Sequence, residues 1–394
     1  MDYNAFDPAT HAEPDRAYAE LRQRCPVHHD VARDFYTVSR TSDITAILNT
    51  PQLWSSRYRN GLEYRPAVGE PMLLDADPPQ HTWQRRLLQK AWTPRLINQL
   101  ESRVRQIVDA LMDEVAVDGR CDFHESVSTA VPTLVIAEFI GVPASDRHRF
   151  KAWSDARVAA TGGMPGHAQA EVEATAALDA YLRDHIGRRR EQIASGRAPD
   201  DYTTQILTTT EGGRALDDTE VQQVLQLLLI GGIQTTTLHL SNLLHRLIVE
   251  PGLRERLVKE PALCELAVEE SMRLDSPTLG LFRTPNEATS VAGVDIPKEA
   301  KTMVLFAAVN RDPDIWENPD AFRLDRDPTR LFRHYGFGHG NHRCLGAPLA
   351  RLEGRVVLER VVARWPGVRY EQPPHRHENM IFRGYDRQLV TWDG

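Results

Sequence analysis

Phe337-Gly338-His339-Gly340-Asn341-His342-Arg343-Cys344-Leu345-Gly346 places a single cysteine behind a glycine-spaced loop and directly before residues 348–365, whose apolar periodicity reads as a helix. A helix N-terminus carries free N–H groups and the positive end of a dipole. A thiol held there is drawn toward its thiolate form, whether it serves as a nucleophile or as a metal ligand. The glycines let the backbone fold tightly around the sulfur. Three other readings compete on the residues alone. A buried structural cysteine leaves the glycines and the pair His339 and His342 without a purpose. Zinc could take His339, His342 and Cys344, yet no second cluster offers a fourth ligand. A phosphatase-type nucleophile calls for an arginine after five intervening residues, whereas Arg351 follows Cys344 after six.

Working outward, helical periodicity dominates. Residues 97–117, 171–194, 219–249 and 261–274 carry apolar side chains at three- and four-residue spacing. Strand-like runs are short: 35–38, 291–296, 302–306 and 389–392, set off by Pro, Gly and Asp. A mainly α protein with small β-sheets is expected. The stretch 219–249 begins with the acids Asp217, Asp218 and Glu220 and stops at Glu250-Pro251. At 1.5 Å per residue it spans about 46 Å, enough to cross a whole domain. From Val221 to His245 it has no Asp, Glu, Lys or Arg, but Gln222, Gln223, Gln226, Gln234, Thr235, Thr236, Thr237, Asn242 and His245 are too many polar groups for lipid. A buried central helix is the better reading. Adjacent Gly231 and Gly232 in its middle cost about 2 kcal/mol against alanine. Either a flat ligand or a close-packed neighbouring helix explains them.

The composition fits an ordinary globular protein, with 41% hydrophobic and 26% charged residues among 394. No linker, repeat or low-complexity tract divides the chain, so residues 1–394 read as one domain. A net charge of −8 argues against a nucleic-acid binder, which needs a basic surface to displace counterions. Residues 1–24 contain no apolar core for a signal peptide or membrane anchor, so a cytoplasmic protein off the membrane is expected. Four scattered cysteines, Cys25, Cys121, Cys264 and Cys344, suit a reducing compartment.

The thiolate loop resembles the haem-binding signature of the cytochrome P450 family, F-G-x-G-x-H-x-C-x-G, at Phe337, Gly338, Gly340, His342, Cys344 and Gly346. Other segments fall in family order. Residues 77–87, with two prolines and then His81 and Arg85 four apart on one helical face, resemble the propionate-binding helix. Glu270-Ser271-Met272-Arg273 is similar to the E-x-x-R motif, and the segment from Asn310 through Arg326 resembles the lead-in to the thiolate loop. Arg283 matches the spacing of a further propionate-binding arginine. The resemblance runs from about Asp77 to the C-terminus and implies the cytochrome P450 fold, with haem b (iron protoporphyrin IX) between the long central helix and the thiolate-ligand helix.

By this resemblance Cys344 is the iron ligand, Phe337 covers its sulfur, and Gly232 lies against the macrocycle. His81, Arg85, Arg283 and His342 meet the propionates, while Glu270, Arg273 and Arg326 form a structural ion network. The implied activity is a monooxygenase that inserts one oxygen atom into a largely apolar small molecule, for example hydroxylation of a terpenoid, steroid or polyketide. The sequence departs from the family where the central helix usually reads Ala/Gly-Gly-x-acid-Thr: here Gln234 precedes Thr235. Glutamine can hold a water but cannot ionise. Thr235 is therefore expected to organise proton delivery, with Gln234 positioning water and Thr236 as a helper. A peroxide-driven enzyme and a catalytically silent haem protein are the alternatives.

No flavin or nicotinamide fingerprint is present, so electrons come from a ferredoxin with its reductase, or a flavodoxin. Arg86, Lys90, Arg95, Arg103, Arg105, Arg343 and Arg351 form a candidate docking face. Residues 57–74, 161–167, 228–232, 278–282 and 380–382 are expected along the access route, with Leu228, Gly231, Leu279, Leu281 and Ile381 lining the pocket. Glycines 162, 163 and 166 suit a lid. Arg57, Arg59 and Arg65 would suit an acidic group on the substrate.

Overall fold

The computed structural model describes residues 3–7, 10, 14–58, 61–62, 70–161, 168–377 and 379–393. Its organising element is the helix Asp218–Val249. A capping box starts it: Asp217 Oδ1 accepts from the Glu220 amide at 2.8 Å and Glu220 Oε2 accepts from the Asp217 amide at 3.0 Å. This central helix packs against Ala130–Ile140, Arg147–Thr161 and Ala168–Ala194 on one side. Leu263–Leu274 and Ala347–Arg364 pack on the other. Leu225, Leu229, Ile233, Leu240 and Leu244 fill the resulting core with Val135, Ile140, Val357 and Val361. Among the described residues it is the one helix long and apolar enough to cross a membrane, and its burial between other helices accounts for that character.

The periodic stretches form Pro94–Ala116, Ala168–Ala194, Leu263–Leu274 and Ala347–Arg364, each within three residues of the expected bounds. The run 291–296 is not one strand. Ala292 and Gly293 both take positive φ, +50° and +79°, and turn it into a hairpin of Thr289–Val291 and Val294–Ile296. The run 302–306 is also shorter as a strand, because Phe306 begins the helical turn Phe306–Val309.

The largest sheet has five strands in the order Val27–Asp30, Phe35–Val38, Lys301–Val304, Leu281–Pro285, Trp54–Ser55. Phe35–Val38 and Lys301–Val304 run parallel, and Leu281–Pro285 returns antiparallel with Arg283 opposite Thr302. This pairing fixes Arg283 beside the loop that carries Asp77 and the helix Gln80–Ala91.

Candidate active site

The loop before Cys344 is shaped by its own side chains. His334 Nδ1 accepts from the Gly336 amide at 3.0 Å, opening the 3₁₀ turn Tyr335–Phe337. Gly338 and Gly340 take φ of +70° and +67°, where an L side chain is strained. The chain then returns so that the Cys344 amide donates to Phe337 O at 2.8 Å. Cys344 stands just before Ala347–Arg364, an exposed residue although protein surrounds it deeply. Burial pushes the thiol up, more strongly than the Gly346 and Ala347 amides and the charges of Arg85 and Arg351 bring it down. The helix end alone does not make a thiolate here; a bound cation would.

Four cation-capable groups gather beside the thiol. His81 and Arg85 come from Gln80–Ala91, Arg283 from its strand and His342 from the loop. The His81 and His342 rings are 4.1 Å apart. Burial, then Arg85 and Arg283, hold His81 down at about 4. Burial, then Arg283, His81 and Arg85, hold His342 at about 2. Burial lowers Arg283 to about 10 against the pull of Asp77 and Asp75. Asp77 is itself held by Ser55 Oγ at 2.5 Å and the Ser56 amide at 2.9 Å. Among the described residues Arg85 has no ion pair and the buried His81 Nδ1 has no hydrogen-bond partner. Burial and the two arginines keep both imidazoles uncharged, an arrangement that favours added negative charge. A pair of carboxylates fits it, and with the sulfur of Cys344 the donor set fits haem.

On the central helix the two glycines face different ways. A Cβ on Gly232 would meet Ile136 Cδ1 at 3.5 Å, an ordinary van der Waals contact on the side of Ala130–Ile140. Gly231 is exposed and a Cβ there would meet nothing within 4 Å among the described residues. Thr235, one turn on, donates through Oγ1 to Gly231 O at 2.6 Å. Gln234 is half-buried. Thr236 is buried, about 140° round the helix from Gly231 at 100° per residue, and does not share the face of Thr235.

Of the expected pocket residues, Leu228 and Leu281 are half-buried. Leu279 and Ile381 are 2% and 0% exposed, packed with Tyr18, Leu21 and Phe35 in a separate core cluster, so neither presents a surface to a ligand. The Leu279 amide donates to Ile381 O at 2.7 Å, which brings the two segments together. Half-buried Phe382, bridged to Thr278, is the more open member of its segment. Arg57 is exposed; Arg59, Arg65 and the glycines at 162, 163 and 166 lie outside the described residues.

Glu270, Arg273 and Arg326 meet: both Glu270 oxygens accept from Arg273 at 2.8 Å, and Oε1 also accepts from Arg326 Nε at 2.8 Å. The residues that sequence reasoning missed are Glu269 and His334. Glu269 accepts from Arg351 Nε at 2.6 Å and Nη2 at 2.9 Å, and from His334 Nε2 at 3.2 Å. Burial pushes Glu269 up, but these hydrogen bonds prevail and hold it at about 2. The signal was the doubled acid: neighbours on a helix point about 100° apart and so serve different walls.

The candidate docking face is largely neutralised. Lys90 pairs with Glu211, Arg95 with Asp200, Arg103 with Glu138, Arg105 with Glu101 and Glu359, and Arg351 with Glu269. Arg86 is exposed without an ion pair among the described residues, and Arg343 donates to Phe332 O at 2.7 Å.

The family model for cytochrome P450 matches residues 4–383. The vitamin D(3) 25-hydroxylase of Pseudonocardia autotrophica is 34% identical, with 96% of this chain and 93% of that protein covered. The cytochrome P450 monooxygenase PikC of Streptomyces venezuelae is 31% identical, with 100% and 94% covered. Among solved structures, CYP109E1 from Bacillus megaterium in complex with testosterone superposes with a TM-score of 0.85 at 30% identity, covering 97% of this chain and 99% of that one. These likenesses extend across the cation cluster, the central helix and the Cys344 loop alike, and the chain belongs to the cytochrome P450 family of haem b monooxygenases.

Proposed function

We propose that this enzyme inserts one oxygen atom from dioxygen into a largely apolar small molecule of steroid, terpenoid or polyketide type, with electrons from a separate ferredoxin and its reductase, or a flavodoxin. The observation that carries the reading is the pairing of Gly231 and Thr235: an open glycine and a hydroxyl on one face of an otherwise buried helix. One relative is named for hydroxylating vitamin D(3) and one solved structure holds testosterone, both apolar molecules. The half-buried Leu228, Leu281 and Phe382 supply surface of matching character.

When bound, the haem supplies the dioxygen chemistry, aided by electron donation from the Cys344 thiolate. His81, Arg85, Arg283 and His342 would hold its carboxylates, whose charge would raise the proton affinity of the two imidazoles. Thr235 keeps its hydroxyl oxygen available to a water while its proton is committed to Gly231 O. Gln234 orients that water without ionising.

The test is Thr235→Ala in the haem-loaded enzyme supplied with a ferredoxin system and a substrate found by spin-state shift. Product per electron falls several-fold, with peroxide rising to match; unchanged coupling contradicts the assignment. The amide at Gln234 favours one second reading, direct use of peroxide. Product formed as fast with peroxide alone as with dioxygen and reductant selects it.

A further inference from the structure

Gln234 leaves Thr235 without an ionisable neighbour in sequence, but one turn further along the same helical face stands His239. Its side chain is 0% exposed, and neither Nδ1 nor Nε2 has a hydrogen-bond partner among the described residues. Burial drives its pKa down to about 4, so near neutral pH the ring carries one N–H donor and one acceptor. A leucine would fill a core position at no such cost.

The facing helices hold more groups of the same kind. A Cβ on Gly354 would stand 3.0 Å from His239 Nε2, so glycine there keeps room for the imidazole edge. Next to it, Glu353 is buried with Oε2 unpartnered among the described residues, and burial raises its pKa so far that it retains its proton. Ser271, one turn beyond Val268, which also borders Gly354, has a buried hydroxyl without a partner among the described residues. The three helices that carry these groups pack against one another. Buried polar atoms rarely go unsatisfied, and water is the partner expected among them. The charges of Glu269, His334 and Arg351 also reach His239, and Arg351 is partly open to solvent.

We propose that His239 is a relay residue that acts through Thr235, passing protons from the Glu353 side of the thiolate helix and standing in for the acid absent at Gln234. This rests on the monooxygenase reading above. A proton leaves Glu353 through water and binds one imidazole nitrogen as the other nitrogen releases its proton toward the Thr235 hydroxyl. The ring ends neutral in the opposite tautomer and resets through its water contacts. Glu353 is reprotonated from solvent, and no electron moves.

The experiment compares wild type, His239→Leu and His239→Asn as haem-loaded proteins with a ferredoxin system. In His239→Leu, product per electron drops at least threefold and the solvent deuterium isotope effect on turnover rises, while haem content and the reduced carbonyl spectrum stay as in wild type. A purely structural histidine would change haem content and melting temperature but leave the isotope effect of the loaded fraction alone, and that result overturns the proposal. If His239→Leu does not fold, His239→Asn decides on the same two readouts. A crystal structure of the wild-type holoprotein supplies a measurement apart from activity: ordered water at both ring nitrogens is expected, and a dry contact overturns the relay. Loss of the thiolate carbonyl band in wild type instead defeats the monooxygenase reading itself.

Discussion

The guanidinium of Arg351 lies 4.6 Å over the ring of Phe337, held there by the buried carboxylate of Glu269. Phe337 accepts the Cys344 amide on its carbonyl, so this stack connects the Glu269–Arg351 ion pair, buried on its carboxylate side, to the thiolate loop. Removing one partner of a buried pair strands the other's charge. Glu269→Gln should therefore lower stability by on the order of 3 kcal/mol, as read by denaturant unfolding. The sign with pH follows from the depressed pKa of Glu269, about 2 against the ordinary 4.5. Its contribution is complete above the unfolded value and is lost as pH falls through about 2. The gap between wild type and variant should be constant above about pH 5 and close on acidification; a gap independent of pH contradicts the pairing.

His81 and His342 give the opposite kind of dependence on the cofactor. Both are held far below 6.5 in the folded protein without haem, at about 4 and about 2, so the unfolded chain binds more protons as pH drops below 6.5. The apoprotein loses stability across that window. Bound carboxylates raise both values, and the haem-loaded protein should show a shallower loss between pH 6.5 and 4. His185, His239 and His245 are also held at about 4 and contribute to both forms alike, so the difference between the two melting curves isolates the cation cluster. Parallel curves would mean that the cluster does not meet the cofactor.

Gly231 offers a test of the open helix face. With nothing among the described residues within 4 Å of its position for a Cβ, Gly231→Ala should stabilise the apoprotein by about 1 kcal/mol through helix propensity alone. The same methyl should weaken substrate binding in the haem-loaded enzyme, measured as a several-fold higher dissociation constant from spin-state titration. Unaltered affinity would place the substrate elsewhere.

Much of this site was legible in the chain. Cys344, its glycines and the long uncharged helix stand out because each breaks a default: a lone thiol at a helix start, paired glycines in mid-helix, and a missing acid before Thr235. What was hidden depends on helix phase and on distant partners. Gly231 and Gly232 are equivalent in sequence, and among the described residues the nearness of Ile136 to Gly232 distinguishes their surroundings. Leu279 and Ile381 read as pocket residues because they are apolar and near the right motifs, yet Tyr18 and Phe35 from the N-terminal region cover them. The basic face dissolved for the same reason, since Glu211, Asp200 and Glu359 are remote in sequence from the residues they neutralise.

The central claim is the thiolate ligand, and the reduced, carbon monoxide-treated absorption spectrum of the purified haem-loaded protein tests it most directly. Cys344 as the axial ligand predicts the strongly red-shifted thiolate carbonyl band, abolished in Cys344→Ala. Folded, haem-loaded wild type without that band, or a Cys344→Ala variant that retains it, would contradict the account.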